Sequence, residues 1–253
     1  TYASSLTNIT LPDTLSYRSS EQYREGHNNE LVLSADATRK LAWGDEVTFA
    51  AKYKYASAEH ELFGRNLTSQ WLQNTSVDYR HEYDKANSQD NYYGLKVKYT
   101  IPFLKGPAVS LTYNPTHRRV KDRDNIFRLD RSEDWSVAAN QPLRLLPSMA
   151  DMMASCIDLD NTYDYKDATT AHILTLNIGQ RRSTRKGTKR NVEFAFPLTL
   201  THERMEYTRG RIDTIGSRNY TVINPRLYYE SIWKEDRYTF RASTSYLTAA
   251  ANF

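Results

Sequence analysis

Residues 191–202 read NVEFAFPLTLTH. Val192, Phe194, Phe196, Leu198 and Leu200 are apolar, and between them sit Glu193, Ala195, Pro197 and Thr199. A two-residue period is that of a β-strand with one greasy and one wetter face. What the greasy face meets decides the architecture. A second protein layer means a β-sandwich; lipid tails mean a membrane-spanning barrel.

The same pattern recurs along the 253 residues. Leu31, Leu33, Ala35 and Ala37 alternate with polar neighbours. So do Val47, Phe49, Ala51, Tyr53 and Tyr55, then Tyr93, Leu95, Val97, Tyr99 and Ile101, and then Val109, Leu111 and Tyr113. His172, Leu174, Leu176 and Ile178 precede the opening stretch. A seventh strand over 220–229 and an eighth carrying Tyr238, Phe240 and Ala242 follow it. The expectation is an all-β chain of about eight antiparallel, up-and-down strands over 29–253. Residues 1–28 have no clear period and read as loop or incoming segment.

The connections between these strands read short, long, short, long, short, medium, short, with long loops near 60–90 and 117–167. Outer-membrane barrels alternate short turns with long outer loops, because successive strands end on opposite sides of the bilayer. Trp43 and Trp233 sit at short turns, where an interfacial belt wants them, and nineteen tyrosines suit the same boundary. These features favour lipid, with Phe194 and Phe196 outward and Glu193 and Thr199 inward. Pro197 and Pro225 fall inside strand patterns and predict a bulge or gap in the ladder. Both ends of the chain fall on the long-loop side, which predicts a segment of a larger barrel. On this reading 60–90, 117–167 and 205–218 face the exterior, and 43–46, 102–107, 181–190 and 233–237 the periplasm.

Composition removes other classes. No run of about 18 apolar residues exists, so a transmembrane helix is excluded. Mean hydropathy is −0.73, which a half-apolar barrel strand tolerates. Cys156 is alone, so no internal disulfide forms. Net charge is +4. The densest basic run, RRSTRKGTKR at 181–190, lies between two strand patterns and reads as a solvated turn rather than a nucleic-acid site.

Chemical sites were sought residue by residue. His27, His60, His81, His117, His172 and His202 are scattered, and neither HELFG nor HEYDK supplies the second His of a zinc-protease helix. Asp122, Asp124, Asn125 and Asp130, and likewise Asp158, Asp160 and Asn161, lack the glycine and terminal Glu of a calcium loop. No phosphate loop or G-x-S-x-G elbow occurs. Sequons stand at Asn8, Asn66, Asn74 and Asn219. No catalytic, cofactor or metal residue is assigned. In the longest loop, Ser148 and Asp151 form a capping-box-like start. Met149, Met152, Met153, Cys156 and Ile157 follow at helical spacing, predicting one short amphipathic helix whose methionines pack the loop.

DRDNIFRLDR, LPSMADMMASCIDLDNTYDY, HERMEYTRGRIDT and NPRLYYES occur in that order. With the strand pattern, they make most of 30–253 resemble the TonB-dependent-receptor-like outer-membrane β-barrels of Bacteroidetes. The resemblance implies part of a barrel of more than twenty strands, and outer-membrane location. It also implies a role in nutrient uptake or surface binding of an unidentified extracellular ligand. A TonB-type energising system would act through a plug domain not visible in this sequence. The alternatives are a soluble all-β carbohydrate-binding module and, with no nucleophile spacing to support it, a barrel enzyme.

Overall fold

The computed structural model describes residues 2–8, 16–70, 76–102, 107–136, 140–183, 188–233 and 238–252. They form one antiparallel sheet of eleven strands. In chain order these are β1 (Tyr2–Asn8), β2 (Ser16–Lys40), β3 (Glu46–Gln70), β4 (Ser76–Ile101), β5 (Ala108–Arg128) and β6 (Tyr163–Ser183). They continue as β7 (Lys189–Arg209), β8 (Ile212–Ile223), β9 (Arg226–Trp233), β10 (Tyr238–Ser245) and β11 (Thr248–Asn252). Each strand of the series β1 to β8 pairs with its successor. The up-and-down order is as expected. The sheet is open among the described residues, with β1 at one edge and β10 and β11 at the other.

The last four strands are two long strands, each broken once. Ala195 pairs with Arg226 and Leu198 with Ile223, so β9 and β8 hold one register along β7 across a gap at Asn224 and Pro225. β10 and β11 likewise hold one register along β9 and β8, broken at Tyr246 and Leu247. The expected interruption at Pro225 is there. Pro197 keeps its place opposite Thr175 on the β6 side, and the gap falls on its other side, facing Asn224. The backbone N–H of Asn224 donates to the Pro197 carbonyl at 3.2 Å and that of Tyr246 to the Pro225 carbonyl at 3.0 Å. The breaks therefore line up as a seam across three strands.

Several expected loops are strand. Residues 16–28 belong to β2 and 2–8 to β1, so the described residues of 1–28 are strand rather than loop. β1 runs towards the long-loop end, from Tyr2 opposite Tyr23 to Asn8 opposite Tyr17. The loop near 60–90 is the paired continuation of β3 and β4, Phe63 facing Tyr83. Of 117–167, residues up to Arg128 are β5 and those from Tyr163 are β6. The stretch 205–218 is a hairpin turning at Gly210 and Arg211. Among the described residues the long loops expected near 60–90 and 205–218 are therefore paired strand, and the long connection is the one between β5 and β6.

These extensions lack an apolar period, so pattern reading misses them. Their backbones pair with neighbouring strands, and cross-strand ion pairs such as Lys85–Glu59 (2.8 Å), Arg118–Asp90 (2.9 Å) and Arg218–Glu203 (2.7 Å) add to the pairing. β2 and β3 are each 25 residues long, roughly 80 Å at the usual strand rise. That far exceeds a hydrocarbon core, so only part of each strand can carry an apolar face. Gly210 has φ +57°, which suits the glycine-first position of a two-residue hairpin turn. A Cβ there would stand 3.3 Å from the Leu159 carbonyl oxygen. The central residues of the expected turns at 102–107, 181–190 and 233–237, namely 103–106, 184–187 and 234–237, lie outside the described residues, as do Asn74 and Phe253.

Candidate lipid-facing surface

The ladders from β2 to β8 carry no register shift, so alternate residues keep to one face along each strand. Lateral pairing joins the apolar positions into a band. One row runs Ala37, Phe49, Val97, Tyr113, Leu174 and Leu198. The next runs Val47, Tyr99, Leu111, Leu176 and Phe196. On β7 the apolar positions span Val192 and Leu200, nine residues or about 30 Å of strand. With the usual barrel tilt, that is a band roughly 25 Å tall.

The apolar face is the open one. Leu33 is 56 % exposed, Phe49 56 %, Leu95 58 %, Leu176 37 % and Phe196 38 %. On β6, His172, Leu174, Leu176 and Ile178 are exposed while Ile173, Thr175, Asn177 and Gly179 are half-buried. The opposite face is the polar one, and there Ser110 and Thr201 are buried. A polar recess of about 460 Å³ opens on it, lined by Lys98, Thr100, Ser110, Asn177 and Glu193. A water-soluble sheet hides its greasy face; this one leaves its greasy face open. Phe194 and Phe196 lie on the exposed apolar side and Glu193 and Thr199 on the other, although Thr199 sits between Ile173 and Val222 rather than among charges. Among the described residues no second layer covers the band.

Amphipathic rings fringe it. At the short-turn end the indole of Trp43 donates to Asp45 at 2.9 Å, Tyr99 also bonds Asp45, and Trp233 stacks on Tyr238. At the other end are Tyr53, Tyr93 and Tyr113, with His172 stacked on and hydrogen-bonded to Tyr113 at 2.8 Å. Trp43 lies in the turn between β2 and β3, and Trp233 ends β9.

Past the band, the same outward face turns polar and then aromatic. Tyr23, Phe63, Tyr83 and Phe127 form a row across β2 to β5, with centroid spacings of 6.1, 4.9 and 5.8 Å. The 129–162 connection folds back over this row. Leu129, Trp135, Met152 and Cys156 complete a buried cluster with it. Arg65 donates to the Gln141 carbonyl at 3.0 Å, and the Arg144 guanidinium lies 4.2 Å from the Tyr23 centroid. Arg131 bonds the Ile157 carbonyl, and Arg209 bonds the Asp160 carbonyl and the Asn161 side chain.

Ser148 caps α1 (Met149–Asp151), accepting from the Asp151 backbone at 3.2 Å. A wider turn at Met152–Cys156 continues it. Met152 and Cys156 face inward at 2 % and 1 % exposure, while Met149 and Met153 face out. The predicted helix is there, and half of its apolar stripe packs the loop.

The remaining sequence candidates are dispersed. Asp122, Asp124 and Asn125 are strand residues of β5, not a cation loop. Asp130 accepts from the His81 backbone and pairs with Arg128 at 2.7 Å. Asp158 is buried, bonded by Asn161 and 3.4 Å from Arg131. No group of three or more metal-ligating side chains occurs among the described residues. Burial of His81 beside Trp135 holds its imidazole below the usual range. On the enclosed face, burial and the neighbouring Asp124 and Glu82 push the Asp84 carboxyl up to about 7. The aromatic row escaped sequence reading because each strand contributes one ring to it, and only the register shows that the four align.

No family model, curated protein or solved structure matches this chain.

Proposed function

We propose that the chain forms part of the wall of an outer-membrane β-barrel of the TonB-dependent-receptor-like kind. The observation that carries this reading is the inversion of the two faces. A continuous apolar band is exposed, ringed by Tyr and Trp, while along β6 the polar face is the more sheltered one. Exposed apolar surface on this scale marks contact with a membrane or a partner, and its height suits a hydrocarbon core. The open edges at β1 and β10–β11 suit a sheet continued by further strands. The 129–162 connection and the polar extensions then stand outside the cell as the surface that meets an extracellular ligand. The short turns face the periplasm, where an energising system would engage. On this reading the wall carries nutrient uptake or surface binding and performs no covalent chemistry itself.

Fractionation tests it. The full-length protein should enter the outer-membrane fraction and need detergent for extraction. Recovery as a monodisperse protein from buffer alone would sink the reading in favour of a soluble all-β binding module.

A further inference from the structure

The band is not uniform. Ala35, Ala51, Leu95 and Pro115 occupy one row, and Leu33, Tyr53, Tyr93 and His117 the next. Two alanines beside two tyrosines leave a depression of about 560 Å³, bordered by Leu95, Pro115 and His117. The β4–β5 ladder also lapses here, between Gly94↔Thr116 and Val97↔Tyr113, as the missing N–H of Pro115 demands. The depression is almost wholly apolar except at its upper end.

That end is cationic. The Arg119 Nε donates to His117 Nε2 at 2.9 Å. His117 is thereby the acceptor at Nε2, and its Nδ1 is left to donate to the Thr170 hydroxyl at 2.8 Å. Arg119 is four residues above Pro115, about 13 Å along the strand, and Lys121 is the next outward residue. Both are exposed, and neither pairs with a carboxylate among the described residues. Arg123, Lys166 and Arg204 share this face but are held by Asp164 and Glu206.

We infer that this groove and its two unpaired cations bind a single phosphate-bearing lipid of the bilayer. An acyl chain lies against Ala35, Ala51 and Pro115, and the phosphate sits at Arg119 and Lys121. The inference rests on the membrane-wall reading. Charge complementarity names the occupant: an apolar slot ending, one headgroup's distance further on, at two free cations fits an anionic lipid and not a neutral one. Arg119 keeps its terminal guanidinium nitrogens for a phosphate, the fork geometry that suits bidentate contact.

The experiment reconstitutes the full-length protein in phosphatidylcholine vesicles doped with spin-labelled phosphatidylglycerol or spin-labelled phosphatidylcholine. Electron paramagnetic resonance then compares their association with the protein. A cation near a membrane surface favours an anionic lipid about fivefold, so roughly fivefold or greater preference for phosphatidylglycerol is expected. The double variant R119Q/K121Q should lose it, whereas R204Q, altering a cation already paired with Glu206, should retain it. Ala51→Trp should fill the groove and weaken association of the labelled phosphatidylglycerol. Unchanged preference in R119Q/K121Q, with the protein inserted and folded, overturns the lipid site and leaves the wall reading standing. So does full competition by inorganic phosphate with no effect of Ala51→Trp, which would mean a free-phosphate site. A protein that does not insert at all sinks the wall reading itself.

Discussion

Leu176 and Asn177 are consecutive residues of β6 that face opposite ways at one depth. Leu176 lies between Leu111 and Phe196 on the exposed band. Asn177 lines the polar recess with Glu193 and meets the Ser110 hydroxyl at 3.5 Å. Placing Arg at each position holds backbone, strand and new side chain constant, so strand propensity cancels. Leu176 is two residues from Leu174 and from Ile178, near the middle of the band, and it faces Phe196 at the middle of the apolar run on β7. An Arg facing lipid near the midplane costs roughly 2–4 kcal/mol. Asn177→Arg gives up one long hydrogen bond and gains Glu193 as a neighbour, a net cost under about 1 kcal/mol. The two variants should therefore differ by about 1–3 kcal/mol in reversible unfolding from phospholipid vesicles. In water the order would not be so: Leu176 is 37 % exposed, and a surface change there is worth about 0.5 kcal/mol. Equal costs in vesicles, or a larger cost at Asn177, would refute the assignment of the apolar face to lipid.

Phe127 is 1 % exposed between Tyr83 and the Ile157 bridge, so Phe127→Ala should cost about 3–5 kcal/mol. Limited proteolysis should show faster cleavage within 140–148 than in the wild type. Gly210→Val forces a β-branched residue into positive φ against Leu159 and Asp160. It should lower stability by at least 1–2 kcal/mol, read as the unfolding midpoint. The imidazole of His81 is held below its ordinary value, so the unfolded chain takes up that proton first as pH falls past about 6.5. The packed loop should then loosen on acidification, seen as faster amide exchange at 140–148, and His81→Phe should blunt the effect. Asp84 has the opposite sign. Its carboxyl titrates near 7 when folded against 3.8 ordinarily, so the folded form holds the extra proton between these values. Its favourable contribution is lost as pH rises through about 7. Asp84→Asn should gain stability over the wild type from pH 4 to about pH 7 and level off above it in denaturant titrations.

What the sequence shows of this fold is the part where one face is apolar and the other polar. Where Leu176 and Asn177 alternate, or Phe196 and Pro197, the period announces both strand and face. All eight strand cores were legible for that reason, as was the break at Pro225. Beyond the band both faces are wet, and alternation such as Ser57 and Glu59 against Ala58 and His60 looks like loop. The second half of β3 and residues 16–28 were missed on that account. Ser148 announced its helix by local chemistry, which needs no partner. The lipid groove was not legible, because it depends on Ala35, Ala51 and Pro115 becoming neighbours from three separate strands. Nor was the line-up of Pro197 with Pro225, which only the ladder reveals.

The unshifted register also bears on how this chain can change length. Because no ladder from β2 to β8 contains an extra residue, the side of every residue follows from whether its position is odd or even within its strand. A single inserted codon inside β3 would turn every residue on one side of it inside out, sending Lys52 to the apolar side and Tyr53 to the polar side. Two inserted codons would restore the sides and merely lengthen the wall. Descendants of this gene should therefore gain or lose residues in pairs within the band. Odd steps should be confined to the turns, to 129–162, and to the seam at Asn224, Pro225, Tyr246 and Leu247, where the pairing is already interrupted.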